Sequence, residues 1–305
     1  MPFSEIYRRQ VQLLVRTLPL VAQEECFALK GGTAINLFYR NLPRLSVDID
    51  LNYLPLADRA RSLTGIDAAL RRIGERIRES DSRIRVQESA PGSQTEITRL
   101  VVRTLDGVQI KIEVTPVLRG VVFDPENRLI CERAEEEYGF AEMPVLSFPD
   151  LYAGKCIAAL DRQHPRDLFD VHELLNAEGI TPELRTALIV YLISHGRPPQ
   201  RLLSGECRDI THDYEHGFQG MTATDLPMDA LRDAHARLVE DLVVNMPEEH
   251  KAFLYGFFQG APRWELLGIP RCEELPAVKW RQFKLAEASE DDRTEIVERL
   301  KEILG

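Results

Sequence analysis

Ala28-Leu29-Lys30-Gly31-Gly32-Thr33, and soon after it Ser46-Val47-Asp48-Ile49-Asp50-Leu51-Asn52, are the two stretches around which the rest of the chain can be organised. In the first, an apolar strand end meets a double glycine, and Ala34-Ile35-Asn36-Leu37-Phe38-Tyr39 then resumes a helical pattern. Strand, glycine turn and helix start in quick succession are the arrangement expected of a phosphate-binding turn. The second stretch alternates strictly. Val47, Ile49 and Leu51 point one way, and Ser46, Asp48, Asp50 and Asn52 the other.

Two carboxylates two residues apart on a strand share a face. Unpaired, they repel, and each raises the pKa of the other. A divalent cation removes that cost, and magnesium favours a few carboxylates plus substrate phosphate oxygens over a full protein cage. An acidic edge strand could carry the same pair with no metal, so context has to decide. Part of that context lies downstream, where runs at 96–105 and 108–115 flank Asp106-Gly107, a strong two-residue hairpin signal. In the second run Val108, Ile110, Ile112 and Val114 face one side and Gln109, Lys111 and Glu113 the other. If this strand lies beside 46–52, Asp48, Asp50 and Glu113 converge. Three acids could hold two metals, or one metal and a base, for in-line attack on a nucleotide α-phosphate. Glu113 also reads as part of a solvated strand face.

Working outward, residues 4–27 read as one or two helices, with Ile6, Val11, Leu14, Val15 and Leu18 at helical spacing. Residues 58–79 form an arginine-rich helix with Leu63, Ile66, Leu70 and Ile73 on its apolar face. From about 146 the character turns helical. Ser147-Phe148-Pro149-Asp150 starts one helix that ends near Gln163, and Pro165 starts another that stops at Gly179. A loop at Gly196-Arg197-Pro198-Pro199 and a proline-punctuated stretch at 262–276 interrupt an otherwise helical remainder. The predicted division is a mixed α/β domain at 1–145 and a helical domain at 146–305.

Hydrophobic residues are 44% of the 305 and charged residues 29%, the balance of a globular protein with a sizeable core. No apolar run approaches the roughly 20 residues that span a bilayer. Met1 to Arg16 is amphipathic, without a signal-peptide pattern. Five scattered cysteines with no C-x-x-C pair suit reduced thiols in a cytoplasmic protein and argue against zinc. A net charge of −11 confines any nucleic-acid contact to a local patch. Arg71, Arg72, Arg76 and Arg78 are the best cluster, though they read equally as a solvated helix face. His212 and His216 lack the H-E-x-x-H pattern, and His164 and His172 read as surface or packing residues. Neither a G-x-S-x-G elbow nor a Walker motif is present, which weighs against hydrolase and P-loop chemistry.

Lys30-Gly31-Gly32-Thr33-Ala34 followed by Leu45-Ser46-Val47-Asp48-Ile49-Asp50-Leu51 resembles the signature of the DNA polymerase β-like nucleotidyltransferase superfamily. More narrowly, it resembles the AbiEii/AbiGii toxin family, which includes the MenT-type toxins. The second motif resembles Lys111-Ile112-Glu113-Val114. The third and fourth resemble Lys155-Cys156-Ile157-Ala158-Ala159-Leu160-Asp161-Arg162 and Arg166-Asp167-Leu168-Phe169-Asp170-Val171. The resemblance covers about 28–175. Beyond it, the pattern around Trp264, Leu275-Pro276 and Trp280 is similar. Where many relatives have Gly-Ser, this chain has Gly-Gly-Thr.

The resemblance implies an α+β fold: a nucleotidyltransferase-like mixed sheet with flanking helices, and a C-terminal helical domain completing the active-site cleft. It implies that Asp48, Asp50 and Glu113 serve Mg2+, with Mn2+ the alternative, and that Gly31, Gly32 and Thr33 contact the triphosphate. Lys155 and an acid of the fourth motif, Asp167 in preference to Asp170, would be essential. Lys155 would hold nucleotide phosphates. Arg162, on the same helix face, would serve the nucleotide or cover acidic surface, and Arg166 and Asp170 could simply pair along their helix. The implied reaction is transfer of a nucleoside monophosphate from an NTP to the 3′ end of tRNA, in a toxin of abortive infection or phage defence countered by a separately encoded antitoxin. Modification of a protein hydroxyl and a catalytically idle partner-binding module are the two alternatives.

Overall fold

The computed structural model describes residues 3–92 and 95–305; Met1 and Pro2, at the head of the amphipathic N-terminal stretch, lie outside them. The chain forms two compact units: Met1–Ser147 with Gln219–Asp225, and Phe148–Phe218 with Leu226–Gly305. The return of 219–225 to the first unit was not part of the sequence expectation.

The first unit runs α1 (Glu5–Val21), β1 (Phe27–Lys30), α2 (Gly31–Ala34, continued by π-helical turns at Ile35–Tyr39), β2 (Asp48–Tyr53), α3 (Arg59–Ser80) and β3 (Ile84–Ser89). It continues with β4 (Arg99–Thr104), β5 (Gln109–Arg119), β6 (Glu126–Leu129), α4 (Glu132–Tyr138) and β7 (Glu142–Val145). The seven strands form one mixed sheet in the order β3-β4-β5-β2-β1-β7-β6. β2 runs parallel to β5 and antiparallel to β1, and β1 is parallel to β7. The Asp106-Gly107 turn joins β4 to β5 as the dipeptide predicts. Gly107 has φ 86, and the Thr104 amide donates to the Val108 carbonyl at 3.0 Å.

Alternation in β2, β4 and β5 puts Ile49, Leu51, Leu100, Val102, Ile110 and Ile112 on one face, all buried. α1 covers that face with Val11, Leu14, Val15 and Leu18, and α3 with Leu63, Ile66, Leu70 and Ile73. Each such side chain contributes about 1.5–3 kcal/mol when fully removed from water, so the opposite, polar face is left for chemistry. Asp58 caps α3, its carboxylate accepting from the Arg61 amide at 2.9 Å.

Residues 219–225 strap the loop before β2. The Leu45 amide donates to the Met221 carbonyl at 2.7 Å, Ala223 to Pro43 at 2.9 Å, and Ser4 to Gly220 at 3.0 Å.

The second unit is helical: α5 (Phe148–Arg162), α6 (Pro165–Ala177), α7 (Pro182–Ser194), α8 (Pro199–Leu203), α9 (Thr211–Gly217), α10 (Met228–Val243), α11 (Glu248–Gln259), α12 (Pro276–Glu287) and α13 (Glu290–Leu304). Four of them, α6, α7, α8 and α12, open on proline, whose fixed φ and missing N–H suit a first turn. Among the described residues no helix is long and apolar enough to cross a membrane.

Candidate active site

On the polar face of the sheet, register aligns charges across four adjacent strands. Lys30 of β1 opposes Asp50 of β2, Asp50 opposes Glu113 of β5, and Glu113 opposes Arg99 of β4. Register partners project to the same side, with strands about 4.8 Å apart. The row therefore reads cation, acid, acid, cation. One step along, Asp48 opposes Lys111. Burial pulls the Lys30 ammonium below its ordinary pKa, against the opposing pull of Asp50.

Gly31 closes on this row. Its φ is 74, and a Cβ there would lie 2.6 Å from Asp50 Oδ2, so glycine is required for both its conformation and its close approach. Gly32 is packed as tightly on its other side: a Cβ would lie 2.6 Å from Arg44 Nη2 and 2.9 Å from Ser46 Oγ. Arg44 is buried, with Nη1 donating to the Leu45 carbonyl at 2.9 Å. The Thr33 hydroxyl donates to the Asp48 carbonyl at 2.5 Å and can accept from the Ser46 hydroxyl, 3.1 Å away, and Thr33 is fully buried. Thr33 was expected to offer its hydroxyl to a triphosphate; it instead braces the glycine turn against the start of β2. The surface left for a phosphate is the Gly31 backbone; the carboxylates beside it would meet a phosphate only through a cation.

The strand carrying Glu113 does lie beside the Asp48/Asp50 strand, but the Glu113 carboxylate is ion-paired with Arg99 on its other side. Among the described residues no three His, Cys, Asp or Glu side chains gather closely enough to hold a cation. The expected convergence of three acids is therefore not present in this conformation. Asp48 and Asp50, on one face beside the close-packed glycine, still fit magnesium, which takes few carboxylates and completes its shell with water and phosphate oxygens.

Within the second unit the motif residues gather into one ion cluster. Lys155 Nζ lies 2.8 Å from Asp167 Oδ1 and 3.0 Å from Asp170 Oδ2. Arg162 Nε reaches Asp167 Oδ2 at 2.5 Å, and its Nη2 donates to Oδ1 at 3.1 Å. The Lys155 side chain is 7% exposed and those of both aspartates 1%, whereas that of Arg162 is 63% exposed. Burial pushes the Asp167 carboxyl up, but Lys155 and Arg162 together hold it well below the usual carboxylate range. Lys155, expected to hold nucleotide phosphates, has its charge matched by two buried acids. Asp170, read as a partner for Arg166, contacts Lys155.

The remaining polar features resolve in the same way. Arg72 and Arg76 both bind Glu24, at 2.6 and 2.5 Å, Arg71 binds Asp67 and Glu88, and Arg78 binds Glu88. The α3 arginines therefore form no free basic patch. His164 caps α6, its Nδ1 accepting from the Arg166 amide at 3.2 Å. Sequence reasoning missed Lys30, Arg99 and Arg44. Lys30 stood inside the quoted motif, but only strand register reveals the positions of the other two.

The family described as nucleotidyl transferase AbiEii toxin, type IV toxin–antitoxin system, matches residues 12–299. The chain belongs to this family. Among solved structures, MenT4, a nucleotidyltransferase toxin from Mycobacterium tuberculosis, superposes with a TM-score of 0.59 at 15% identity, over 98% of this chain and 94% of that one. That likeness is one of fold. Terminal uridylyl transferase 4 from Trypanosoma brucei with bound dUTP aligns at a TM-score of 0.30 and 13% identity, over 79% of this chain and 70% of that one. No curated protein sequence matches the chain.

Proposed function

We propose that this AbiEii-family toxin transfers a nucleoside monophosphate from an NTP to the 3′ end of tRNA in the cytoplasm, and that a separately encoded antitoxin counters it. The observation that carries the reading is the approach of Gly31 to Asp50, 2.6 Å from the position its Cβ would take. A backbone turn pressed against a carboxylate pair can present a triphosphate to a metal at that pair. Asp48 and Asp50 would hold Mg2+, or Mn2+ in its place, and when bound the cation stabilises charge on the phosphate oxygens.

In the reaction the acceptor hydroxyl oxygen bonds to the α-phosphorus. The bond from that phosphorus to the bridging oxygen breaks, and pyrophosphate leaves with the electron pair. Glu113, released from Arg99, takes the hydroxyl proton. Lys30, beside Asp50, stands where it can balance phosphate charge. Lys155 and Asp167 hold Arg162 and the α5–α6 elbow in place.

The test is incubation of the purified protein with each labelled NTP, plus total tRNA or cell protein. Label on tRNA is expected, lost on chelation with EDTA and restored by magnesium. Asp50→Asn should reduce it roughly 100-fold or more, the scale of losing a group that stabilises transition-state charge. Label on protein would replace tRNA with a protein hydroxyl as acceptor, and no label with any NTP would leave a partner-binding module.

A further inference from the structure

On α12, in the second unit, an aromatic pair stands in solvent. Trp280 is 58% exposed and Phe283 51%. Their rings stack with centroids 5.6 Å apart and planes 24° from parallel. Lys284 Nζ lies 5.1 Å from the Trp280 ring centre and 5.7 Å from that of Phe283. Ala277, Val278 and Leu285 are buried on the other face of the helix, so the helix is anchored without these rings. Within this helix, Lys279, Arg281 and Lys284 stand against one acid, Glu287, in a chain of net charge −11. Arg281 lies inward over Phe258, and Lys284 also pairs with Glu287 at 2.8 Å. Lys279, like Lys284, is exposed.

We propose that the Trp280–Phe283–Lys284 ledge is a stacking platform for single-stranded nucleic acid. Two exposed, nearly parallel rings continue a stack that unpaired bases can join, and the adjoining ammonium groups attract the backbone phosphates. Interleaved aromatic and cationic side chains are what sequence-tolerant single-strand binding requires. The two exposed lysines beside the rings suit a polyanion better than an apolar protein partner. The inference is independent of the transfer reaction, since binding is read without any nucleotide substrate.

The test uses the full chain with Trp264→Phe, which leaves Trp280 as the only tryptophan. A single-stranded RNA oligonucleotide is expected to quench its fluorescence, and the same sequence as a blunt duplex should not. In a fluorescence anisotropy titration of labelled oligonucleotide, Trp280→Ala with Phe283→Ala should weaken binding about tenfold or more. Inorganic polyphosphate, with charge but no bases, should bind both proteins alike. Asp50→Asn should keep oligonucleotide binding while losing transfer, so failure of the catalytic reading and failure of this one are separable. Unquenched fluorescence, or equal affinity in the double variant with unchanged circular dichroism, would overturn the platform. A fall in native mass in that variant, with affinity unchanged, would do the same by making the ledge a contact between copies.

Discussion

Gly31 and Gly107 both occupy the left-handed region, at φ 74 and 86, yet their surroundings differ completely. A Cβ at Gly107 meets nothing within 4 Å, whereas one at Gly31 would collide with the Asp50 carboxylate. Gly107→Ala should therefore cost only the conformational term, about 1–2 kcal/mol, seen as a lower urea midpoint with transfer activity intact. Gly31→Ala should carry that cost and also displace Asp50, lowering transfer by about tenfold or more beyond the effect of Gly107→Ala. Equal activity in the two variants would remove the glycine turn from the site. The importance of both glycines was legible from sequence, since turns demand them. Which one touches a carboxylate was not, because that depends on the register of β1 with β2.

The elbow between α5 and α6 shows how an element can be read correctly while the partners of its charges are not. Proline at the start of α6 and glycine after its end bound it as expected. Lys155 and Asp167, twelve residues apart, looked like two site residues, but the elbow folds them into one buried ion cluster. Lys155→Ala removes the cation that faces two buried carboxylates and should destabilise the fold by about 3–5 kcal/mol. The folded Asp167 carboxyl lies below the ordinary value of 3.8, so on acidification the unfolded chain takes up this proton first. The stabilisation is complete above about pH 4 and is lost below it as pH falls through the folded value. In Lys155→Ala the carboxyl rises, and acid unfolding should begin at a higher pH. Urea midpoints from about pH 7 down to about pH 2 check both statements. A variant as stable as the wild type would leave the lysine free for substrate alone. Burial separates a structural lysine from a phosphate-binding one, and sequence spacing does not report burial.

At the scale of the molecule, the first unit is not a continuous stretch of chain. Residues 219–225 return to it and supply three backbone hydrogen bonds to Ser4, Pro43 and Leu45. At about 1 kcal/mol each, the two to Pro43 and Leu45 are worth roughly 2 kcal/mol to the loop that holds Arg44 under Gly32. A fragment ending at Ser147 should accordingly be less stable than the same unit in the full chain, with limited proteolysis cutting first at the loop before β2. Resistance equal to that of the full chain would show the strap to be dispensable. Nothing in the strap's own sequence announces it, because a short segment inside a helical half has too few residues for a periodic signal. The short strands β6 and β7 escaped notice for the same reason.

The sequence by itself determined what is periodic or local: the alternation that places Asp48 and Asp50 on one face, the glycine turn, the Asp106-Gly107 hairpin, the helical second half and the family motifs. Only the tertiary structure decided what depends on register and burial. It turned Glu113 toward Arg99, matched Lys155 with two acids, made Thr33 a brace and set Arg44 beneath the glycines. Local pattern follows from the repeat of a strand or helix. The partner of a charge follows from which distant segment packs against it, and no local pattern encodes that.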